Sequence, residues 1–459
     1  KDWEPTRDKE ILKRFDDLPG EIRLIIEDAL KELQKEKVEP KPSLLLTSLP
    51  TCAEHFTGRE KELQTLLTAL QPAHQVTLCA VGGMGKTALA AEALHILIGE
   101  GEKPRLAALQ AQHGKLHERF PDGLFYFAFY HQKEASICLE ALCRAFGEQP
   151  LPNPLEAARR ALAGKQALLV LDGTEEADDL PSVLSVCGRC GVLVTTRKKK
   201  DALSGELLEL HPLPEDKSLR LLKKWAGEYA LDADGGTAAA QEIIALTGNL
   251  PLATAIIGKY LKHRQEAARD YLRWLRESKP EALSQGERQR ESVPRMLERS
   301  LSQVPEASCR LVSLAAALAY APCPLDLLWA GMPELENETD KRKALDPLLE
   351  YGLLGKGAGE RGQGSGIRNQ GSGIRVQVAH LLLYEYVKKQ HKPENRRLLR
   401  MAAYGATLAE REVPKGPAGF RFLDAYRAHV LDLLKRLLDL PAQGEEQLLA
   451  LRLVGGLAW

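Results

Sequence analysis

The chain has 459 residues, with Lys+Arg and Asp+Glu balanced at 63 each and a formal net charge of zero. That balance exerts no pull toward nucleic acid or an anionic membrane, and the length calls for roughly three or four domains. Hydrophobic residues at 44% supply ordinary cores, and eight irregularly spaced cysteines fit a reducing cytoplasm without a disulfide framework.

Lys1 in first position reads as the start of a piece of a longer protein. Residues 7 to about 36 read as two helical pieces broken at Leu18-Pro19-Gly20, and Pro40, Pro42 and Pro50 mark a linker. Residues 1–52 are therefore expected to be a helical segment with its linker. Phe56-Thr57-Gly58-Arg59-Glu60 follows as a turn opening a helix. Its place ahead of a phosphate-binding loop makes Thr57 and Arg59 candidates for an adenine-side contact.

The loop is Ala80-Val81-Gly82-Gly83-Met84-Gly85-Lys86-Thr87, between the β-prone run Gln75–Cys79 and the helix-forming run Ala88–Leu94. A strand turning through glycines into Gly-Lys-Thr suits phosphate binding. Glycines let backbone N–H groups turn inward around a phosphate, and the helix start adds partial positive charge. Lys86 can reach the β- and γ-phosphates, and the Thr87 hydroxyl can ligate Mg²⁺. The strict pattern G-x-x-x-x-G-K-[ST] has glycine where Ala80 stands.

Strands are expected at Val76–Val81, Leu124–Tyr130, Ala167–Asp172, Gly191–Thr196 and Leu207–Leu210, alternating with helices. Continuous apolar strands of this kind predict a parallel sheet covered on both faces. Asp172 ends its strand, where an open α/β sheet places ligand chemistry, and is the candidate Mg²⁺ partner. Arg197 ends the next strand after Thr195-Thr196 and can report a γ-phosphate. Cys187 and Cys190 form a lone pair of structural cysteines, and Lys198, Lys199 and Lys200 read as a solvated loop.

Residues 213–290 read as helical, with Pro251 of Gly248-Asn249-Leu250-Pro251-Leu252 at a helix entry. Leu311–Trp329 contains Pro322, Pro324 and Asp326, so it reads as a buried helix and turn and not a membrane span. Over 291–392, helices followed by a β-hairpin outline a winged helix. Its long tip carries Gly-Ser-Gly-Ile-Arg at 364–368 and 371–375, and Val376–Leu383 follows. Residues 393–459 read as the start of helical, TPR-like repeats, with Tyr426, Val430, Leu431, Leu433, Leu434 and Leu437 on one face.

The ordered set resembles the STAND-class signalling NTPases of the NB-ARC type over about 54 to 392. Phe56–Glu60 resembles that family's opening motif, and Ala80–Thr87 its phosphate loop. Leu168–Asp172 is similar to the metal-binding strand, Thr195-Thr196-Arg197 to the sensor arginine, and Gly248–Leu252 to Gly-Leu-Pro-Leu. Ala379-His380-Leu381 stands against Met-His-Asp, with Leu381 replacing the aspartate.

The resemblance implies a multidomain fold: a P-loop nucleotide-binding domain at 53–212, a helical domain at 213–290, a winged helix at 291–392 and helical repeats from 393. It implies ATP or ADP with Mg²⁺ as cofactors. The contacting set is Phe56, Thr57, Arg59, Gly82, Gly83, Met84, Gly85, Lys86, Thr87, Ala88, Pro251 and His380, the last at the β-phosphate of ADP. Asp172, Arg197 and Lys86 carry the catalytic roles, and Thr87 and Asp172 hold the metal. Many relatives have a second acidic residue directly after the metal-binding aspartate, where this chain has Gly173. Glycine cannot act as a base, so hydrolysis is expected to be slow, with Glu175 or Glu176 as a substitute.

The expected activity is a cytoplasmic switch. A protein trigger bound by the C-terminal repeats exchanges ADP for ATP, and the chain forms a homo-oligomer that activates an N-terminal effector in cis, as in immunity or programmed cell death. The alternatives are a transcriptional regulator using the same switch, a constitutive ATPase and a helical scaffold. The balanced charge speaks against nucleic acid as a partner.

Overall fold

Four short, largely apolar runs and the edge strand Glu206–Glu209 form one parallel sheet. In the computed structural model the described residues are 47, 49–99, 109, 111–130, 132–232, 235–277, 285–356, 374–438, 449, 452 and 453. The chain divides into the units Lys1–Leu45 and Leu46–Trp459, and every described residue belongs to the second. The expected N-terminal helices, the Gly-Ser-Gly-Ile-Arg repeat up to residue 373 and most of the chain after 438 lie outside the described residues.

Helix α1 (Glu60–Ala69) precedes β1 (Gln75–Cys79), and α2 (Lys86–Ile98) follows it. Then come β2 (Leu124–Ala128), α3 (Ala135–Ala145), α4 (Pro154–Ala161), β3 (Leu168–Asp172), β4 (Gly191–Thr196) and β5 (Glu206–Glu209). The sheet order is β2-β3-β4-β1-β5, with parallel pairing throughout. Every residue of β3 and β4 is buried, as uninterrupted apolar strands require when helices cover both faces. On one side α3 and α4 close a core containing Phe125, Phe129, Leu139, Ala157, Leu169 and Val192, and Cys187 and Cys190 pack into it. The order places β4 between β1 and β3. Whatever stands at the β4 tip therefore lies between the phosphate loop and Asp172.

Helices follow: α5 (Glu215–Ala226), α6 (Gly236–Leu246), α7 (Pro251–Arg264), α8 (Ala268–Glu277) and α9 (Gln285–Leu301). Gly248 and Asn249 turn the chain between α6 and α7 with φ of +68° and +54°, a conformation open to glycine and tolerated by asparagine. Pro251 then starts α7 at the position where a missing N–H costs nothing. Arg299 of α9 lies 4.7, 4.6 and 4.1 Å over the rings of Tyr260, Tyr271 and Trp274 and pairs with Glu266 at 3.0 Å.

The next elements are α10 (Glu306–Ala317), β6 (Cys323–Pro324), α11 (Leu325–Ala330), α12 (Glu338–Glu350), β7 (Leu354–Lys356), β8 (Arg375–Val378) and α13 (Leu381–Gln390). The expected hairpin is part of a three-stranded antiparallel sheet, β6-β8-β7. The run Val376–Leu383 is also divided: strand ends at Val378, and His380 caps a helix that takes up Leu381–Leu383. Helices α14 (Asn395–Glu412) and α15 (Pro417–Leu438) pack together. They dock on α11 through Asp326, which accepts from the Tyr404 hydroxyl at 2.8 Å and the Tyr426 hydroxyl at 2.6 Å. No helix among the described residues is long and apolar enough to cross a membrane.

Candidate nucleotide site

The loop after β1 has the backbone its sequence asks for. Gly83 and Gly85 take φ of +81° and +91°, and Gly85 caps α2 so that Lys86 begins the helix. Ala80 is not among the residues with positive φ, so alanine stands there without strain. Lys86 is buried, and its Nζ donates to the carbonyls of Ala80 at 2.7 Å and Val81 at 3.3 Å. Burial lowers its pKa, and the strongest opposing influence is the charge of Glu175. Met84 is buried, while Thr87 and Ala88 are half-buried on the first turn of α2.

Asp172 is 3% exposed and gathers hydroxyl groups from three elements. Thr87 Oγ1 lies 3.1 and 3.0 Å from its two carboxylate oxygens, and the Tyr126 hydroxyl donates at 3.0 Å. Thr195 on β4 donates through its hydroxyl as well. Burial and the Asp172 charge together push the Tyr126 phenol far up, so it remains a donor. The adjacent Thr87 hydroxyl and Asp172 carboxylate are hard oxygen donors and fit Mg²⁺. Among the described residues no group of three or more His, Cys, Asp or Glu converges. An ion here would therefore complete its shell with phosphate and water, as Mg²⁺ commonly does.

At the β4 tip Arg197 Nε meets Glu175 Oε1 at 3.0 Å, and the Arg197 backbone N–H donates to Glu175 Oε2 at 3.2 Å. The Tyr130 hydroxyl also donates to Glu175 at 3.2 Å. On its far side the guanidinium approaches Glu385 of α13 at 3.7 Å. Glu176 faces outward to Lys133. Gly173 has φ +73°, and a Cβ there would run into the Tyr130 ring. Packing alone thus excludes an acidic side chain from that position.

His380 is brought to the same region from α13. Its Nδ1 accepts the Leu382 N–H at 3.1 Å, which leaves the proton of a neutral ring on Nε2. The ring keeps some accessible surface but is deeply surrounded by protein. That desolvation, with the charges of Arg197 and Lys86, pushes its pKa down to about 4. Two residues on, Leu382 covers the loop: its carbons lie 3.5 Å from where a Gly82 Cβ would stand. Leu252 approaches Gly83 in the same way, and its N–H donates to the Gly83 carbonyl at 3.3 Å. Pro251 is half-buried beside it.

The opening motif lies against the loop and α5. Arg59 is buried, and its guanidinium donates to the Met84 carbonyl at 3.3 Å, the His211 carbonyl at 2.5 Å and Glu62 at 2.8 Å. These bonds tie the loop to the end of β5. The Thr57 hydroxyl accepts from Lys224 at 2.8 Å and lies beside the His55–Trp225 ring pair, whose centroids are 4.4 Å apart. Phe56 is half-buried. Sequence reasoning missed Tyr126, Tyr130, Thr195 and Leu382. Thr195 had a readable signal, since it is polar inside a strand predicted to be wholly buried.

No protein-family model matches the chain. The regulatory protein AfsR of Streptomyces griseus is 27% identical over 265 residues, covering 54% of this chain and 25% of that protein. AfsR of Streptomyces coelicolor is 27% identical over 259 residues, covering 52% of this chain and 24% of its own length. The chain thus spans about a quarter of these relatives. Among solved structures it is similar to a Walker-type ATPase of Pyrococcus abyssi, with TM-score 0.34 and 13% identity, over 74% of this chain and 98% of that one. A superposition that loose adds nothing to what the sheet order and loop geometry say by themselves.

Proposed function

We propose that the chain is a nucleotide-operated switch within a larger regulatory protein, of the STAND type. One observation carries the reading: the loop glycines, Lys86, Asp172 and Arg197 of the parallel sheet meet Leu252 and His380–Leu382 of later elements in one place. Lys86 and the loop N–H groups hold the β-phosphate, Thr87 and Asp172 hold Mg²⁺, and Arg197 faces the γ-phosphate. His380 is neutral with Nε2 protonated, so it donates a hydrogen bond to a phosphate oxygen. Phe56, Thr57, Met84, Ala88 and Pro251 shape the base side, and Arg59 works by fixing the loop. Bound Mg²⁺ supplies charge neutralisation to the phosphates. Hydrolysis is slow because Gly173 puts no base directly after Asp172.

The helices around the β6-β8-β7 sheet serve as the winged helix that closes over the nucleotide, and α14 and α15 begin the TPR-like sensor. Trigger binding opens that closure and leads to a homo-oligomer. The two relatives named as regulatory proteins favour the regulator reading over the defence reading that the motifs first suggested. Denaturing the purified chain and separating the released nucleotide tests the proposal. About one ADP per chain is expected, and Lys86→Ala should weaken binding at least on the order of a hundredfold, since it removes a charge-assisted contact and its point charge. An empty site, or normal affinity in Lys86→Ala, overturns it.

A further inference from the structure

Glu175 is a buried carboxylate whose place the sequence could not settle. It sits in the single turn Thr174–Glu176 after β3, with its side chain 3% exposed. It grips Arg197 twice, through Nε at 3.0 Å and the backbone N–H at 3.2 Å. The Tyr130 hydroxyl holds it from β2's end at 3.2 Å, and its own carbonyl accepts from Lys198 Nζ at 3.2 Å. One buried carboxylate thus answers the cation at the β4 tip.

We infer that Glu175 is a specificity-determining residue that occupies Arg197 and so sets the site against a nucleoside triphosphate relative to a diphosphate. The inference rests on the nucleotide reading above. A carboxylate and a phosphate oxygen compete for the same guanidinium donors. A γ-phosphate brought to Arg197 must displace Glu175, leaving a buried charge unpaired, or lie beside it as a like charge. A diphosphate ends in the loop and makes neither demand. Glu385, 48% exposed and 3.7 Å from the guanidinium, faces water and competes less. Gly173 belongs to the same device, because the Tyr130 ring that excludes a side chain there carries the hydroxyl that positions Glu175.

The test is an equilibrium titration of the nucleotide-stripped chain with ADP and with the β,γ-imido analogue of ATP, each with Mg²⁺. Glu175→Gln keeps the shape and removes the charge. It should raise the triphosphate-to-diphosphate affinity ratio on the order of tenfold, with ADP affinity little changed. Tyr130→Phe, which loosens Glu175 without touching its charge, should move the ratio the same way by less. If wild type binds ADP and neither variant moves the ratio, Glu175 is not a discriminator, even if hydrolysis slows as it would for a water-positioning residue. Failure of wild type to bind either nucleotide would remove the site reading itself, and this inference with it.

Discussion

Gly173 shows how one position can decide chemistry through packing. Its backbone is left-handed and its missing Cβ makes room for Tyr130. Gly173→Ala should destabilise the fold by about 1–3 kcal/mol, read as a lower denaturant midpoint. In a Tyr130→Ala background the cost should shrink to the backbone contribution alone. The loop residues, Asp172 and Arg197 were legible in the sequence because each ends a strand or opens a helix in a motif whose spacing carries the chemistry. The grip of Glu175 on Arg197 was not legible. Two charged residues twenty-two positions apart look the same in sequence whether they meet in the interior or face water, and only the adjacency of β3 and β4 brings them together.

At the scale of elements, α13 depends on a cap that titrates. His380 must keep Nδ1 unprotonated to accept the Leu382 N–H. Its folded-state pKa, like that of buried His429, lies near 4, below the ordinary 6.5. The unfolded chain therefore binds more protons than the folded one between those values, and stability is lost as pH falls through that window. The urea midpoint should drop from about pH 7 to about pH 5, and His380→Asn, which keeps a capping acceptor without a titrating ring, should flatten the slope. Four strands of the large sheet were readable as continuous apolar runs, whereas the edge strand Glu206–Glu209 is flanked by charges and lies one residue earlier than expected. Strand β6 was not readable, because two residues containing Pro324 give no alternation and their partner β8 lies some fifty positions on. Val376–Leu383 carries no boundary in its pattern for a related reason: eight residues, largely apolar, do not tell a buried strand from a strand running into a capped helix.

Across the molecule, the phosphate loop is covered by residues from two distant segments, Leu252 and Leu382, as well as framed by its own sheet. Access to the loop is thereby coupled to the packing of α7 and α13. Leu382→Ala should speed release of a fluorescent nucleotide on the order of tenfold, while changing the rate of association less, because most affinity changes within one site appear in the off-rate. A nucleotide that leaves the variant no faster would mean that α13 does not gate the site.

The Arg299 cluster has a practical corollary. The cation comes from α9, Tyr260 from α7, and Tyr271 and Trp274 from α8. An indole with a guanidinium 4.1 Å above its face reports that neighbour through its emission. Any rearrangement that slides α9 away from α8 should alter Trp274 fluorescence, which would follow it in real time without a label. Substituting the chain's other tryptophans would isolate that signal and turn an internal packing contact into a clock for that movement.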